Sequence, residues 1–233
     1  MAQALPSYAM SVFLLPKEIS RSIESMMASY WWQTNKDSGK GIHWLSWDKL
    51  CQHKKGVVMG FRNLLDFNLA MLGKQGWRLL TRPNSLVTRV LKARYFPQGD
   101  FLSASIGSNP SFVWRSIWES QDLVRKGVRW CIGSRNNIPI LQSPWLPDEI
   151  NPFVISDHPA LSVAKVSNLL TLDGSRWDEE VLDDLFVDRD KHLIMSIPLN
   201  DNNLEDHFVW SKETSGFYTV KSAYNLLQKL KGG

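Results

Sequence analysis

The chain has 233 residues, 43% of them hydrophobic, and no run of about 18 uninterrupted apolar residues. This composition excludes a membrane-spanning helix and is typical of one large folded domain or two small ones. The two cysteines, Cys51 and Cys131, are too few for a disulfide framework. We therefore expect an intracellular protein, with the nucleus as one candidate compartment, and no membrane partner.

The formal net charge of +4 conceals an uneven distribution. Residues 1–135 carry 19 Lys and Arg against 8 Asp and Glu, a net charge of +11, and residues 136–233 carry 8 against 15, a net charge of −7. Such a division is typical of a basic half that contacts phosphate, of two halves that contact each other, or of two solvated surfaces without a shared role.

Helical periodicity dominates the first half of the chain. Residues 17–32 are predicted to form an amphipathic helix whose apolar positions are Ile19, Ile23, Met26, Met27 and Tyr30.

Residues 60–97 predict a helical hairpin with one buried and one cationic side. Its first helix has an apolar stripe at Leu65, Leu69, Leu72, Gly76 and Leu79. Pro83 should end that helix, and Asn84 or Ser85 should cap the second, whose apolar positions are Val87, Val90 and Leu91. Residues 111–127 resume the helical spacing.

The second half alternates short β-type runs with acidic helices. The runs VRWCIG and NIPIL, separated by residues 134–137, predict one β-hairpin, and HFVWSKETSGFYTV predicts another. Residues 176–199 predict one or two acidic helices, and a helix closes the chain. The expected fold class is α+β, mainly α: a basic helical region over residues 1–126, then an acidic connector with short β-hairpins and a C-terminal helix over residues 127–233.

The strongest functional candidates are long cationic side chains on or beside the polar faces of the helical hairpin, because such chains position nucleic acid through its phosphates. They are Lys54, Lys55, Arg62, Lys74, Arg78, Arg82, Arg89, Lys92 and Arg94. Interleaved tryptophans suit base stacking as well as a core, and for Trp31, Trp32, Trp77, Trp114 and Trp118 the core is favoured.

Catalytic and metal-binding arrangements find little support in the sequence. The spacing of His43, Cys51 and His53 matches no common zinc site, and neither GxxxxGK[ST] nor GxGxxG is present. The second half has a carboxylate cluster that suits Mg²⁺ in composition, although acids along amphipathic helices are more often a solvated face. Its members are Asp178, Glu179, Glu180, Asp183, Asp184, Asp188 and Asp190. We expect no catalytic residue, metal or cofactor.

A series of segments resembles one family in order and spacing over almost the whole chain. The segments are ALPSYAMSVFLLPK, YWW, GIHWLSWDKLCQHKKG, GFRNLLDFNLAMLGKQGWRLL, SLVTRVLKARYFP, SFVWRSIW, GVRWCIG, PWLP and GFYTVKSAYNLL. Together they resemble the region after the polymerase palm in plant LINE-type non-LTR retrotransposon reverse transcriptases.

The resemblance implies a thumb and connector that end just before a zinc-binding segment. The family's YxDD-type aspartate pair has no counterpart in this sequence, so a non-catalytic fragment of an RNA-directed DNA polymerase is implied. The expected partners are RNA or an RNA–DNA hybrid, and a palm domain supplied by a longer polyprotein. The alternative is a degenerate structural or interaction remnant without biochemical activity of its own.

Overall fold

The computed structural model describes residues 7–32, 44–51, 61–133, 138–199 and 205–232. It is about 52% helical and contains a small antiparallel sheet of two strands, which confirms the α+β, mainly α class. The helices and strands in chain order are α1 (Ser7–Met10), α2 (Lys17–Trp32), α3 (Trp47–Cys51), α4 (Leu64–Thr81), α5 (Leu86–Tyr95), α6 (Phe112–Trp118), α7 (Gln121–Gly127), β1 (Val128–Cys131), α8 (Glu179–Leu185), α9 (Asp188–Met195), β2 (His207–Trp210) and α10 (Val220–Gly232).

The chain packs as two compact units, residues 1–127 with 218–233, and residues 128–217. The first unit thus includes α10, which the sequence-based division grouped with the acidic connector. The division into separate functional regions at residues 1–126 and 127–233 remains a prediction.

Local signals define both ends of the predicted helical hairpin. The Asn63 side chain accepts a hydrogen bond from the Asp66 amide at the start of α4, and Ser85 does the same for Thr88 at the start of α5. Helix α4 ends at Thr81, two residues before Pro83. These caps satisfy amides that an isolated helix end leaves without partners, so the helix bounds follow from the local sequence.

Helix α4 is the centre of the first unit. Helices α1, α2, α5, α6, α7 and α10 all pack against it. Two glycines allow the closest approaches, because a Cβ on Gly73 would lie 2.3 Å from the Tyr218 hydroxyl and one on Gly76 would lie 2.5 Å from the Phe101 ring. The predicted stripe lies inward: Leu72, Gly76 and Leu79 are buried. Its first two members, Leu65 and Leu69, are half-buried.

Polar contacts attach α10 to α4 across a long stretch of sequence. The Asp66 carboxylate, which is buried, accepts hydrogen bonds from Lys231 Nζ at 2.6 and 2.8 Å and from Gln228 Nε2 at 2.7 Å. At the same end the Asn63 amide donates to the Tyr224 hydroxyl. Tyr218 extends the attachment, because its hydroxyl donates to the Ala70 carbonyl at 2.8 Å.

Two predicted apolar faces are partly turned toward solvent. On α2, Ile19, Met26 and Tyr30 are exposed and Ile23 and Met27 are half-buried, whereas Ser20 and Ala28 are buried. A polar contact is consistent with this orientation of α2 about its axis. Glu24 Oε1 accepts a hydrogen bond from the amide of Leu64, the first residue of α4.

On α5, Val87 and Val90 are exposed while Thr88 is buried. The apolar pattern predicted for α5 was therefore wrong at these two positions.

The second unit contains the sheet, and its strand pairing differs from both predicted hairpins. Strand β1 pairs with β2 in antiparallel register, with Val128 opposite Trp210 and Cys131 opposite His207. Residues 134–137, the turn of the first predicted hairpin, lie outside the described residues. The arm beyond them forms an isolated bridge between Pro139 and Lys165 instead of pairing with β1.

Of the second predicted hairpin only the turn is formed, in which the Trp210 amide donates a hydrogen bond to the Gly216 carbonyl. Its return arm does not continue as a strand, because Tyr218 is buried with its hydroxyl on Ala70 and α10 begins at Val220. Each hairpin thus contributes one strand, and the two strands pair with each other.

The second unit also has a polar centre beside its apolar core. The Asp190 side chain is fully buried and accepts from the amides of Ile155 and Ser156 and from the Ser156 hydroxyl. Its other oxygen pairs with Arg189 Nη1 at 2.8 Å, and Arg189 also binds Asp148. These bonds connect the start of α9 to residues 148–156. Among the described residues no helix is long and apolar enough to cross a membrane.

Replacing Gly76 with Ala should destabilise the protein. Alanine normally favours a helix over glycine by about 1 kcal/mol, but here the new methyl group would overlap the buried Phe101 ring. Because overpacking costs about 1–3 kcal/mol and the helix preference returns about 1 kcal/mol, we expect a net loss of up to about 2 kcal/mol in the free energy of unfolding. Urea denaturation measures it, with Lys74→Ala on the exposed side of α4 as the control. A Gly76→Ala variant more stable than the wild type would contradict the packing.

Replacing Asp190 with Ala should weaken the second unit. It leaves two amides, a hydroxyl and one side of Arg189 without their acceptor, for an expected cost of about 2–3 kcal/mol. Amide hydrogen exchange at Ile155 and Ser156 should accelerate with it. Asp184→Ala, an exposed change on α8, should stay within about 0.5 kcal/mol of the wild type. Equal effects of the two substitutions would refute the structural role of Asp190.

Candidate nucleic-acid interface

One row of cations follows the exposed side of α4. Lys74 and Arg78 are exposed and four residues apart, so they lie on one face of α4, and the exposed Arg82 is the C-cap residue at the end of that helix. Arg78 Nη1 donates to Gln75 Oε1 at 3.1 Å, which holds that guanidinium on the helix surface. Opposite faces of α4 are buried, so this row is what the helix offers to a ligand.

A second group lies on α5. Arg89 and Arg94 are exposed and Lys92 is half-buried. The Arg94 guanidinium lies over the Tyr95 ring, 5.2 Å from its centroid. Lys92 and Arg94 are in the last turn, where the helix dipole favours positive charge.

Three predicted residues lie before α4. Arg62 is exposed, and its guanidinium lies 4.7 Å from the centroid of the Phe67 ring. Lys54 and Lys55 lie outside the described residues. The structure therefore positions seven of the nine predicted side chains.

The charge of this surface has no compensating carboxylate in the surrounding sequence. Between Asp66 and Asp100 the chain has six Lys and Arg and no acidic residue. Asp66 itself is buried and bound to Lys231. None of the ion pairs within the described ranges involves a predicted site residue. Cations of this kind can neutralise phosphates and release counterions.

The α5 surface is also more apolar than the sequence indicated. Leu86, Val87 and Val90 are exposed by 74%, 61% and 57%, beside the cations of the same helix. An interface made only of phosphate contacts does not need these side chains. The two helices therefore offer different surfaces, a cationic row on α4 and a mixed cationic and apolar face on α5.

The tryptophans divide between core and surface. Trp77 and Trp114 are buried as expected, Trp32 and Trp118 are half-buried, and Trp31 is 46% exposed. Trp114 stacks on Tyr95 with ring centroids 4.8 Å apart. The core role is therefore confirmed for Trp77 and Trp114 and wrong for Trp31.

Sequence reasoning also missed surface residues that suit nucleic acid. Arg115 is exposed on α6, and the rings of Tyr8, Tyr30 and Trp44 are exposed by 73–85%. Helical spacing could have identified Arg115, which lies on the polar side of its helix. The exposed rings carried no such signal, because aromatic residues at helical spacing usually belong to a core.

Three of the seven members of the carboxylate cluster of the second unit are engaged in structure. Asp178 caps α8 by accepting from the Val181 amide, Asp183 pairs with Lys191, and Asp190 is the buried acceptor described above. Hydrogen bonds from Arg189 and from two amides lower the pKa of Asp148 below its ordinary value.

No group of three His, Cys, Asp or Glu side chains suited to a metal ion occurs in the described residues. Of the zinc candidates, Cys51 is buried, and His43 and His53 lie outside those residues.

The fold and this surface define a mainly α protein with exposed cations that form no ion pair among the described residues. The chain is 38% identical over 147 residues to the uncharacterized mitochondrial protein AtMg00310 of Arabidopsis thaliana, a match that covers 63% of this chain and 95% of that protein. The chain belongs to the family of that plant protein. No family model and no solved structure matches it.

A second relative is much longer. The chain is 28% identical over 233 residues to the "Putative ribonuclease H protein At1g65750" of Arabidopsis thaliana, covering 96% of this chain and 37% of that protein. Such a pair of relatives is typical of transposon-derived plant proteins.

Proposed function

We propose that this chain is a non-catalytic, nucleic-acid-binding module of a retroelement RNA-directed DNA polymerase, corresponding to its thumb and connector. The observation that carries the proposal is the run of six cations and no carboxylate between Asp66 and Asp100, five of them exposed. The similarity of almost the whole chain to 37% of a longer plant protein supports a role as part of a larger enzyme.

The mechanism proposed is positioning. Arginine and lysine side chains that contact phosphates fix the place and direction of a nucleic acid without reading its sequence. Lys74, Arg78 and Arg82 would follow one strand from a helix that is held on its other sides. RNA or an RNA–DNA hybrid is the ligand proposed, and chemistry would belong to a palm domain in the same polyprotein.

Replacing Arg78 and Arg82 together with Ala should weaken binding to an RNA–DNA hybrid similarly for all sequences. Each phosphate contact that is lost means that fewer counterions are released on binding. The slope of log K against log salt concentration should therefore become shallower by about one per contact. Fluorescence anisotropy over a series of salt concentrations measures both effects.

The control removes the same charge elsewhere. Arg176 and Lys165 are exposed residues of the second unit, and the double variant Arg176→Ala, Lys165→Ala should bind as the wild type does. If both double variants lose affinity equally, binding reflects total charge and the α4 site is refuted. Wild-type protein without salt-sensitive binding would refute the proposed function itself.

The second candidate is an interaction remnant without biochemical activity, whose surface packs on a palm domain. The exposed Leu86, Val87 and Val90 on α5 favour it, because apolar side chains grouped on one helix face mark a protein contact.

Replacing Val87 and Val90 with Ser distinguishes this candidate. If the face serves only a protein contact, the variant should be more soluble and keep its affinity for the hybrid. Solubility in ammonium sulfate and anisotropy give the two measurements. A large loss of affinity with no gain in solubility would assign the face to the nucleic acid instead.

A further inference from the structure

The side chain of Tyr95, the last residue of α5, is fixed by contacts at its ring and at its hydroxyl. The ring stacks on that of Trp114, with the centroids 4.8 Å apart and the two planes 2° from parallel. Trp114 is fully buried, and its indole N–H donates to the Ile106 carbonyl at 3.1 Å. The Tyr95 hydroxyl accepts a hydrogen bond from the Ser111 amide at 2.9 Å. Tyr95 is therefore a half-buried ring whose position is set by the packed residues around it.

This ring supports a cation on the protein surface. The Arg94 guanidinium carbon lies 5.2 Å from the Tyr95 ring centroid, within the roughly 6 Å over which an aromatic face attracts a cation. Arg94 is exposed and forms no ion pair among the described residues. Its charge is thus open to a ligand, while a ring that the core holds in place restrains its orientation.

Arg89 provides a comparison on the same helix. It is also exposed, and within the described ranges it lies over no aromatic ring and forms no ion pair. The two arginines offer a phosphate the same charge. A guanidinium that is already held near one conformation loses less entropy on contact, and its planar fork can donate two parallel hydrogen bonds to one phosphate. Arg94 should therefore contribute more affinity than Arg89.

From this geometry we propose that Tyr95 is a positioning residue of the nucleic-acid surface, which holds the Arg94 guanidinium in the orientation that meets a backbone phosphate of an RNA–DNA hybrid. This role rests on the proposed function, and it singles out one oriented contact among the cations of α5. Orientation and charge have different effects on binding. Loss of orientation lowers the affinity without changing its salt dependence, whereas loss of a charge changes both.

Exchange of arginine for lysine separates orientation from charge. Arg94→Lys keeps the charge but replaces the planar fork with a flexible, more strongly hydrated ammonium group. Its affinity for a fluorescently labelled RNA–DNA hybrid, measured by anisotropy, should fall about two- to fivefold. The slope of log K against log salt concentration should not change. Arg89→Lys is the matched control and should bind as the wild type does, and circular dichroism checks that both variants are folded.

A double-mutant cycle tests whether Tyr95 acts through Arg94. Tyr95→Leu removes the ring and should lower the affinity for the hybrid, whereas Tyr95→Phe keeps the stack and should bind as the wild type does. In an Arg94→Ala background Tyr95→Leu should have no further effect, and in an Arg89→Ala background it should keep its full effect. A general loosening of α5 by the leucine would instead lower the affinity in both backgrounds.

NMR relaxation of the arginine Nε–Hε groups measures the restraint without a ligand. On the picosecond to nanosecond timescale Arg94 should be less mobile than Arg89. Tyr95→Leu should remove this difference, and Tyr95→Phe should preserve it.

Three results would overturn the role of Tyr95 while leaving the binding function intact. They are wild-type affinity in Arg94→Lys, equal losses in Arg94→Lys and Arg89→Lys, and a full effect of Tyr95→Leu in the Arg94→Ala background. Equal mobility of the two arginines in the wild type would also overturn it. A wild type without salt-sensitive binding to the hybrid would refute the proposed function, and the role of Tyr95 with it.

Discussion

The burial of α4 is the constraint on which the first unit depends. Its neighbours approach closely because Gly73 and Gly76 have no side chains, and α10 is attached by Asp66, which binds Lys231 and Gln228 more than 160 residues further along the chain. A buried carboxylate without partners would be costly, so this attachment also makes α10 necessary to the fold. With most of its circumference covered, α4 keeps one exposed face, where Lys74 and Arg78 lie, with Arg82 at its C-cap.

The sequence was sufficient for elements whose determinants are local. The end of α4 before Pro83 and the cap of α5 at Ser85 were predicted from the sequence, and the exposed positions of Lys74 and Arg78 followed from helical spacing. It was insufficient where a distant contact decides the outcome. The face that α2 turns toward α4 is the one with Glu24, which bonds to the Leu64 amide, and not the predicted apolar stripe. Helix α5 buries Thr88 and exposes Val87 and Val90. Turn signals indicated two hairpins, but β1 pairs with a strand about 80 residues away, a partner that no local pattern identifies.

The charged residues of the two halves of the sequence differ in their contacts. The net charge of each half does not show this difference. Several acidic residues of the second half stabilise the fold of that unit. They cap α8, accept hydrogen bonds from buried amides, or pair with Arg189 or Lys191. The cations of α4 and α5 form no ion pair among the described residues. A surplus of positive charge that the fold does not use is available to a ligand, whereas a carboxylate engaged by amides is not available to a metal ion.

Three arginines of this surface are restrained by contacts with neighbouring side chains. Arg62 lies over Phe67, Arg94 lies over Tyr95, and Arg78 is bonded to Gln75, all on the surface of a packed helical unit. Side chains already held near one conformation lose less entropy when they meet a phosphate, so the same charge gives more affinity. Lysines on flexible stems would supply equal charge with a larger ordering cost. For a module proposed to position nucleic acid while another domain carries out the chemistry, orientation matters more than total charge, and a rigid helix with restrained arginines supplies it.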